Sequence, residues 1–333
     1  MKFCKNSLYF GLSLVLVMGI TPPGLALLSG ENFAELEVKT DVLLARTRRR
    51  LYFRRRNLRA RGFWRPGATR GSCPLPPGEK VTALIPPDVK KDDSGNLTPD
   101  KDKYGRYKYG KNLSYTVSSA PTVFFYIPEI NKKATNHLKE AEFVTAELVL
   151  KDKDKNKLHK TKVKLPNQSG IVSLTLSEDP AFPNLEVGKS YQWDLTIICT
   201  PTDWKSNPKV GGWIHRLDPN SSLAPQYQAS SDNIDNVNVD DLEPGYIIAD
   251  ELKITETDDH PSVYAEANIW YDTLSSLARL IKANPDDSSI KEDWQNLLTD
   301  VGHEAIASKR LVGDATIIES KRLVGDATII ESD

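Results

Sequence analysis

The sequence predicts a mainly β protein, an immunoglobulin-like antiparallel β-sandwich followed by a C-terminal α-helical hairpin. Between Pro121 and Leu217, short runs of alternating apolar and polar residues are separated by turn signals, at intervals too short for anything but antiparallel strands. Leu185 to Tyr191 reads LEVGKSY, the spacing of a tyrosine corner, in which the buried ring of Tyr191 returns its hydroxyl to the backbone just upstream. From Ser262 the apolar period lengthens to that of a helix.

In chain order, Lys80 to Ile85 reads as a first strand stopped by Pro86-Pro87. Residues 88–119 are polar, rich in Lys, Asp, Gly and Tyr, and without periodicity, so an exposed loop inserted between strands is expected. Its Tyr104, Tyr107 and Tyr109 are either a sugar-stacking surface or ordinary loop tyrosines. The core runs are Thr122–Ile127, Glu142–Leu150, Leu158–Leu165, Ile171–Leu176, Ser190–Cys199 and Val210–Leu217. In the clearest, Tyr191, Trp193, Leu195, Ile197 and Cys199 share one face and Gln192, Asp194 and Thr196 the other, as in a half-buried strand. Asp152 to Asn156 lacks the glycine and distal glutamate of a calcium loop and is read as a charged hairpin turn. Gly211-Gly212 before Trp213 predicts a bulge or a close backbone approach, with Trp213 weighed as core packing over a ligand platform.

Ala267, Trp270, Leu274, Leu277 and Ile281 form one helical stripe, ended by Asn284-Pro285. Ser289 and Glu292 make a capping box, and Ile290, Trp294, Leu297, Leu298 and Val301 line a second helix that stops at Gly302. Lys309 to Ser320 reads KRLVGDATIIES and Lys321 to Ser332 repeats it unchanged. A tandem duplication with a weakly ordered tail is expected, because repeat architectures use more and longer units.

Met1 to Ala26 has the layout of an export signal: Lys2 and Lys5, an apolar run from Leu8 to Ile20, then a small-x-small site at Gly24-Leu25-Ala26. The expected organisation is therefore signal peptide 1–26, basic Arg-rich arm 27–70, β-sandwich 71–226 with inserted loop 88–119, acidic insertion 227–261, helical hairpin 262–307 and duplicated tail 308–333. Cleavage leaves Cys73 and Cys199, which in an exported chain read as one disulfide. The chain is 39% hydrophobic and 27% charged with a formal net charge of −1, which argues against general nucleic-acid binding. Locally the charge is polarised. Arg48, Arg49, Arg50, Arg54, Arg55 and Arg56 are candidate contacts to a polyanion or anionic lipid, and a solvated basic linker is the alternative. The acids of 227–261 are a possible seat for that arm.

The set Arg70-Gly71-Ser72-Cys73, Leu84-Ile85-Pro86, Pro121 to Pro128 (PTVFFYIP), Gly170-Ile171-Val172-Ser173-Leu174, Tyr191-Gln192-Trp193, Gly212 to Arg216 (GWIHR) and Ile269-Trp270-Tyr271-Asp272 resembles a family of exported cyanobacterial proteins catalogued as domain of unknown function 928. The likeness covers about Arg70 to Ala307 and implies an envelope or secreted protein; it supplies no activity and no site residues. The sequence departs from the family pattern in the loop before Pro121, the acidic insertion and the repeated tail.

Three function classes follow. An exported non-catalytic module binding an envelope protein or glycan, with no cofactor and no transmembrane segment in the mature chain, is the leading expectation, placed in the periplasm or outside the cell. A scaffold held to anionic polymer or lipid by the Arg-rich arm is the second. The third is a hydrolase assembled only in three dimensions: no Gly-x-Ser-x-Gly elbow or metal-spaced histidine pair occurs, and His137, His159, His215, His260 and His303 are scattered. Convergence of His215 with an acid and a hydroxyl in a cleft would favour it.

Overall fold

Residues 51, 53, 73–104, 108, 113–134, 138, 142–220, 247–323 and 329–330 are described in the computed structural model. All of them belong to one of the chain's two compact units, Arg48–Asp333. The signal peptide, the candidate contacts Arg48, Arg49, Arg50, Arg54, Arg55 and Arg56, and the acidic insertion up to 246 lie outside the described residues.

Alternation builds most of the strands where the sequence places them. These are β1 (Thr82–Ala83), β2 (Val89–Lys91), β3 (Leu97–Pro99), β4 (Leu113–Thr116), β5 (Thr122–Ile127), β6 (Thr145–Asp152), β7 (Lys157–Lys164), β8 (Gly170–Thr175), β9 (Ser190–Ile198), β10 (Lys209–Arg216), β11 (Leu311–Asp314), β12 (Thr316–Leu323) and β13 (Ile329–Ile330). They form a four-stranded sheet in the order β1-β5-β8-β11, a seven-stranded sheet in the order β13-β12-β7-β6-β9-β10-β4, and the β2-β3 pair. The architecture is mainly β, with several sheets and a C-terminal helical region.

The sheets are not wholly antiparallel: β4 runs parallel to β10, and β11 parallel to β8. The first of these corrects the loop expected over 88–119, part of which is strand. Ser114 and Thr116 are buried on β4 although both are polar, so its two-residue period shows in burial and not in hydrophobicity. The tail corrects a second expectation. Its first copy pairs with β8 through β11, and together with Lys321–Leu323 of the second copy pairs with β7 through β12, on which β13 from the second copy is laid in turn.

Strand β9 is buried on both faces. Tyr191, Trp193, Leu195 and Ile197 point into the core, and Gln192, Asp194 and Thr196 are covered as well. The polar row is tolerated because Asp194 is ion-paired with Lys151 and with Lys209 (3.1 Å), whose long side chains lie over it. Gly212 fulfils the close-approach reading: a Cβ there would sit 3.1 Å from Ile85 and 3.3 Å from the Trp193 indole nitrogen. The Asp152 to Asn156 turn is the charged hairpin expected, the Asp152 carboxylate accepting from the Asp154 and Asn156 amides.

The helical region is larger than a hairpin and begins in the acidic stretch: α1 (Ile248–Ile254), α2 (His260–Glu266), α3 (Trp270–Ala283), α4 (Ser288–Asp300) and α5 (Glu304–Ala307). Helix α4 is capped by Asp287, not Ser289; the Asp287 carboxylate accepts from the Ser289 and Ile290 amides. The start of α3 is the joint with the sheets. The Trp270 indole donates to the Leu84 carbonyl at 2.8 Å, and the Tyr271 hydroxyl accepts from the Trp193 indole (2.9 Å) and donates to the Trp213 carbonyl (3.1 Å). The Asp272 carboxylate accepts from the Val117 amide at 3.1 Å. All three are buried.

Two buried groups in this joint titrate in opposite senses. Burial pushes the Asp272 carboxyl up to about 6 against hydrogen bonds from Thr116 and Val117, whereas burial pulls the His303 imidazole, which donates to the Ile85 carbonyl, down to about 4. His303 therefore contributes stability that is full above its unfolded pKa near 6.5 and is lost as pH falls toward 4. Asp272 contributes stability that is full below its unfolded pKa near 3.8 and is lost as pH rises through 6. Their slopes offset each other between these limits. Asp272→Asn should consequently lose about 2 kcal/mol more than the wild type between pH 7 and 4.5, and His303→Gln about 2 kcal/mol less, in urea titrations at the two pH values. Identical pH dependence in all three proteins would refute this assignment.

Candidate functional site

The outer face of the seven-stranded sheet carries a groove of about 470 Å³, within the range of small-ligand sites. Its floor follows from strand register. Glu147 on β6 stands opposite Lys162 on β7, and Lys162 opposite Glu319 on β12; two residues along β7, Lys160 stands opposite Lys321. Every second residue of β7 turns outward, so Lys160 and Lys162 reach the groove while His159, Thr161 and Val163 are buried. Lys160 bridges to Glu147 at 2.5 Å and Lys321 to Glu319 at 3.4 Å. With Glu142, the lining holds as many carboxylates as ammonium groups.

One wall is Leu138, Glu142 and Phe143, and the other is Pro201 and Trp204. Trp204 is 45% exposed, a large apolar surface left in water on a short turn, Trp204–Ser206. That turn is held at its base. Asn207 accepts from the Cys199 and Thr200 amides at 2.9 Å each and donates to the Thr200 carbonyl at 3.0 Å. Cys199 is itself bonded to Cys73, with their Cα atoms 5.2 Å apart. The indole is therefore carried on a fixed loop.

The other residues weighed from sequence fall elsewhere. The Tyr191 hydroxyl accepts from the Glu186 amide at 3.0 Å. Trp213 is buried in the core. Tyr104 is exposed, and Tyr107, Tyr109 and His137 lie outside the described residues. His215 meets the Ser190 hydroxyl at 2.8 Å and the ring of Tyr115, with burial lowering its pKa, and it hydrogen-bonds no carboxylate among the described residues. His260 ties α2 to carbonyls of Leu252 and Thr255.

His159 does converge with an acid and two hydroxyls, a cluster the sequence did not suggest. Its Nε2 lies 2.8 Å from the Asp179 carboxylate, which also accepts from Thr161 (2.6 Å) and Ser320 (2.5 Å). Burial alone would raise Asp179, but hydrogen bonds from His159, Ser320 and Thr161 bring it down to about 2. A nucleophilic relay uses the two ring nitrogens for different partners. Here Nε2 faces both the acid and the hydroxyls, Nδ1 is buried without a hydrogen-bond partner among the described residues, and the side chains of His159 and Asp179 are closed to solvent. The cluster pins the turn after β8 between β7 and β12.

A second cleft of about 450 Å³ lies between α3 and the four-stranded sheet. Its Lys282 is closed on Asp314 at 2.7 Å, and its Asp272 carboxylate is taken up by the backbone. Among the described residues no group of three or more His, Cys, Asp or Glu is placed to hold a metal, and no helix is long and apolar enough to cross a membrane.

These features define a mainly β protein with a helical region clamped to its sheets through Trp270, Tyr271 and Asp272. The chain belongs to the family described as Domain of Unknown Function (DUF928), which matches residues 65–311. No curated protein matches it. Trp204, Phe143, Lys160 and Lys162 fall inside the matched stretch, and Glu319 and Lys321 beyond it.

Proposed function

We propose that the protein is a non-catalytic exported binding module and that the groove under Trp204 takes a carbohydrate chain. The observation that carries this reading is the exposed indole on a fixed loop above a floor of carboxylates and ammonium groups in equal number. A sugar ring offers an apolar face that stacks on an indole and hydroxyls that both donate and accept. Such hydroxyls are met by Glu and Lys side by side. A polyanion would meet as much repulsion as attraction on this floor, since its charges cancel. Export is supported by the disulfide and by the layout of the leader. A sandwich arrangement of the two larger sheets is supported by inward residues of both entering one hydrophobic cluster, and its immunoglobulin-like character by the Tyr191–Glu186 bond.

The test is retention on immobilised soluble glucans, xylans and polyuronates. At least one is expected to retard the wild type. Trp204→Ala should weaken that interaction about ten-fold or more, a stacking contribution of about 1.5 kcal/mol, and Trp204→Phe should recover much of it. Because Trp204 is a surface residue, the thermal midpoint should hardly move. Equal retention of Trp204→Ala and wild type would contradict the proposal.

A further inference from the structure

The ammonium groups on the floor of the groove are not equivalent. Strand register sets Lys162 on β7 between Glu147 on β6 and Glu319 on β12. Both carboxylates nevertheless turn to another lysine: Glu147 bridges to Lys160 at 2.5 Å and Glu319 to Lys321 at 3.4 Å. Lys164, the next outward residue of β7, lies over the ring of Phe143, its ammonium 4.4 Å from the centroid. Among the described residues Lys162 is thus left with no ion pair, hydrogen bond or ring contact, although it is half-buried and Lys160 is exposed. A partly desolvated ammonium is favoured by an opposite charge brought to it. Its place relative to the indole also follows from register. Ile198, which lines the groove beside Pro201 and Trp204, stands in one row with Thr145 and Lys164, so Lys162 is two strands across and one outward step along, roughly 12 Å away.

Resting on the carbohydrate reading of this groove, we propose that its ligand is an acidic glycan and that Lys162 selects it by binding a carboxylate on a sugar other than the one stacked on Trp204. The neutral hydroxyls of a sugar can accept the protons of the ammonium but leave its charge unmatched, whereas a carboxylate makes a charge-assisted hydrogen bond. The spacing of the acids along the ligand is limited by the rest of the lining. Carboxylates on consecutive sugars would bring some of them against Glu142, Glu147 and Glu319, the three acids of the groove. The chain that fits therefore carries an acid on every second sugar or fewer, with neutral sugars between.

The test is calorimetric titration of the protein with a hyaluronan hexasaccharide, which has a carboxylate on every second sugar, and with its methyl ester, which differs only in lacking the charge. The wild type is expected to bind the acid about five-fold more tightly than the ester at low salt, the size of an exposed ion pair, and the difference should shrink at high ionic strength. Lys162→Met should abolish the difference while leaving the affinity for the ester unchanged, and Lys162→Arg should keep it. Lys291→Met, the same loss of charge on α4 and outside the groove, should also keep it. Equal affinity of the wild type for the two forms overturns the proposal, as does a preference that survives in Lys162→Met or a Lys162→Met that weakens both forms alike. Trp204→Ala separates this failure from failure of the groove. Two forms bound equally and both weakened by Trp204→Ala leave a carbohydrate groove without this selectivity, whereas binding that Trp204→Ala does not touch removes both readings. Binding of neither form also overturns the selection of acidic glycans, and retention of a neutral polysaccharide that depends on Trp204 would then uphold the groove alone.

Discussion

Reducing the disulfide, or replacing Cys199 with Ser, is expected to lower stability by about 5 kcal/mol. The bond joins residues 126 apart in sequence, and the loop-entropy relation for that separation gives this size. The bond also fastens the segment ahead of β1 to the residue that follows β9, and Cys199 is completely buried. Urea titrations with and without reductant measure the effect. The midpoint should fall, and the denaturant slope should rise as the unfolded chain expands. Since the Cys199 amide is one of the donors to Asn207, reduction should also weaken sugar retention through the Trp204 loop. An unchanged midpoint would show that the bridge constrains nothing.

Trp270→Ala should be the most damaging single change in the helical region. Trp270 is fully buried, meets the ring of Phe53 edge-on at 4.8 Å and donates to the Leu84 carbonyl. Truncation costs about 3–5 kcal/mol in packing, and about 1–3 kcal/mol more where the carbonyl is left buried without its donor. Trp270→Phe keeps most of the packing and loses the hydrogen bond, so it should fall well short of the alanine variant. Thermal and urea unfolding of both variants, followed by far-ultraviolet circular dichroism, will separate the two contributions. A loss below about 1 kcal/mol for Trp270→Ala would mean that α3 is not clamped to the sheets through this residue.

What could be read from the sequence was whatever repeats with a clear period. The inward row of β9 and the stripe of α3 announce themselves because apolar side chains recur at two-residue steps in the one and at three- and four-residue steps in the other, and β5 because its unbroken apolar run is bounded by Pro121 and Pro128. Strand β4 did not, because its buried positions are Ser114 and Thr116, hydroxyl residues, and the Thr116 hydroxyl is met by Asp272 of α3 and by the Ser118 amide. The tail misled for another reason. A duplicated segment signals its history, and nothing local says that its first copy will bridge the edges of β8 and β7. Lys160, Lys162 and Lys164 at alternate places on β7 did mark an outward row, but the acids opposite them come from β6 and β12 and are visible only through pairing. Trp204 carried a usable signal: a tryptophan in the polar stretch Thr200 to Asn207, with no apolar period to bury it. His159 and Asp179 carried none, being twenty residues apart and brought together by a turn.

The groove assignment is tested most directly by the indole resonances of ¹⁵N-labelled protein titrated with the oligosaccharide of whichever polysaccharide retards it most. The account predicts that the Trp204 signal moves in proportion to binding while those of the buried Trp193, Trp213, Trp270 and Trp294 stay in place. A saturable interaction that leaves Trp204 unmoved, or no retention by any polysaccharide, would contradict it.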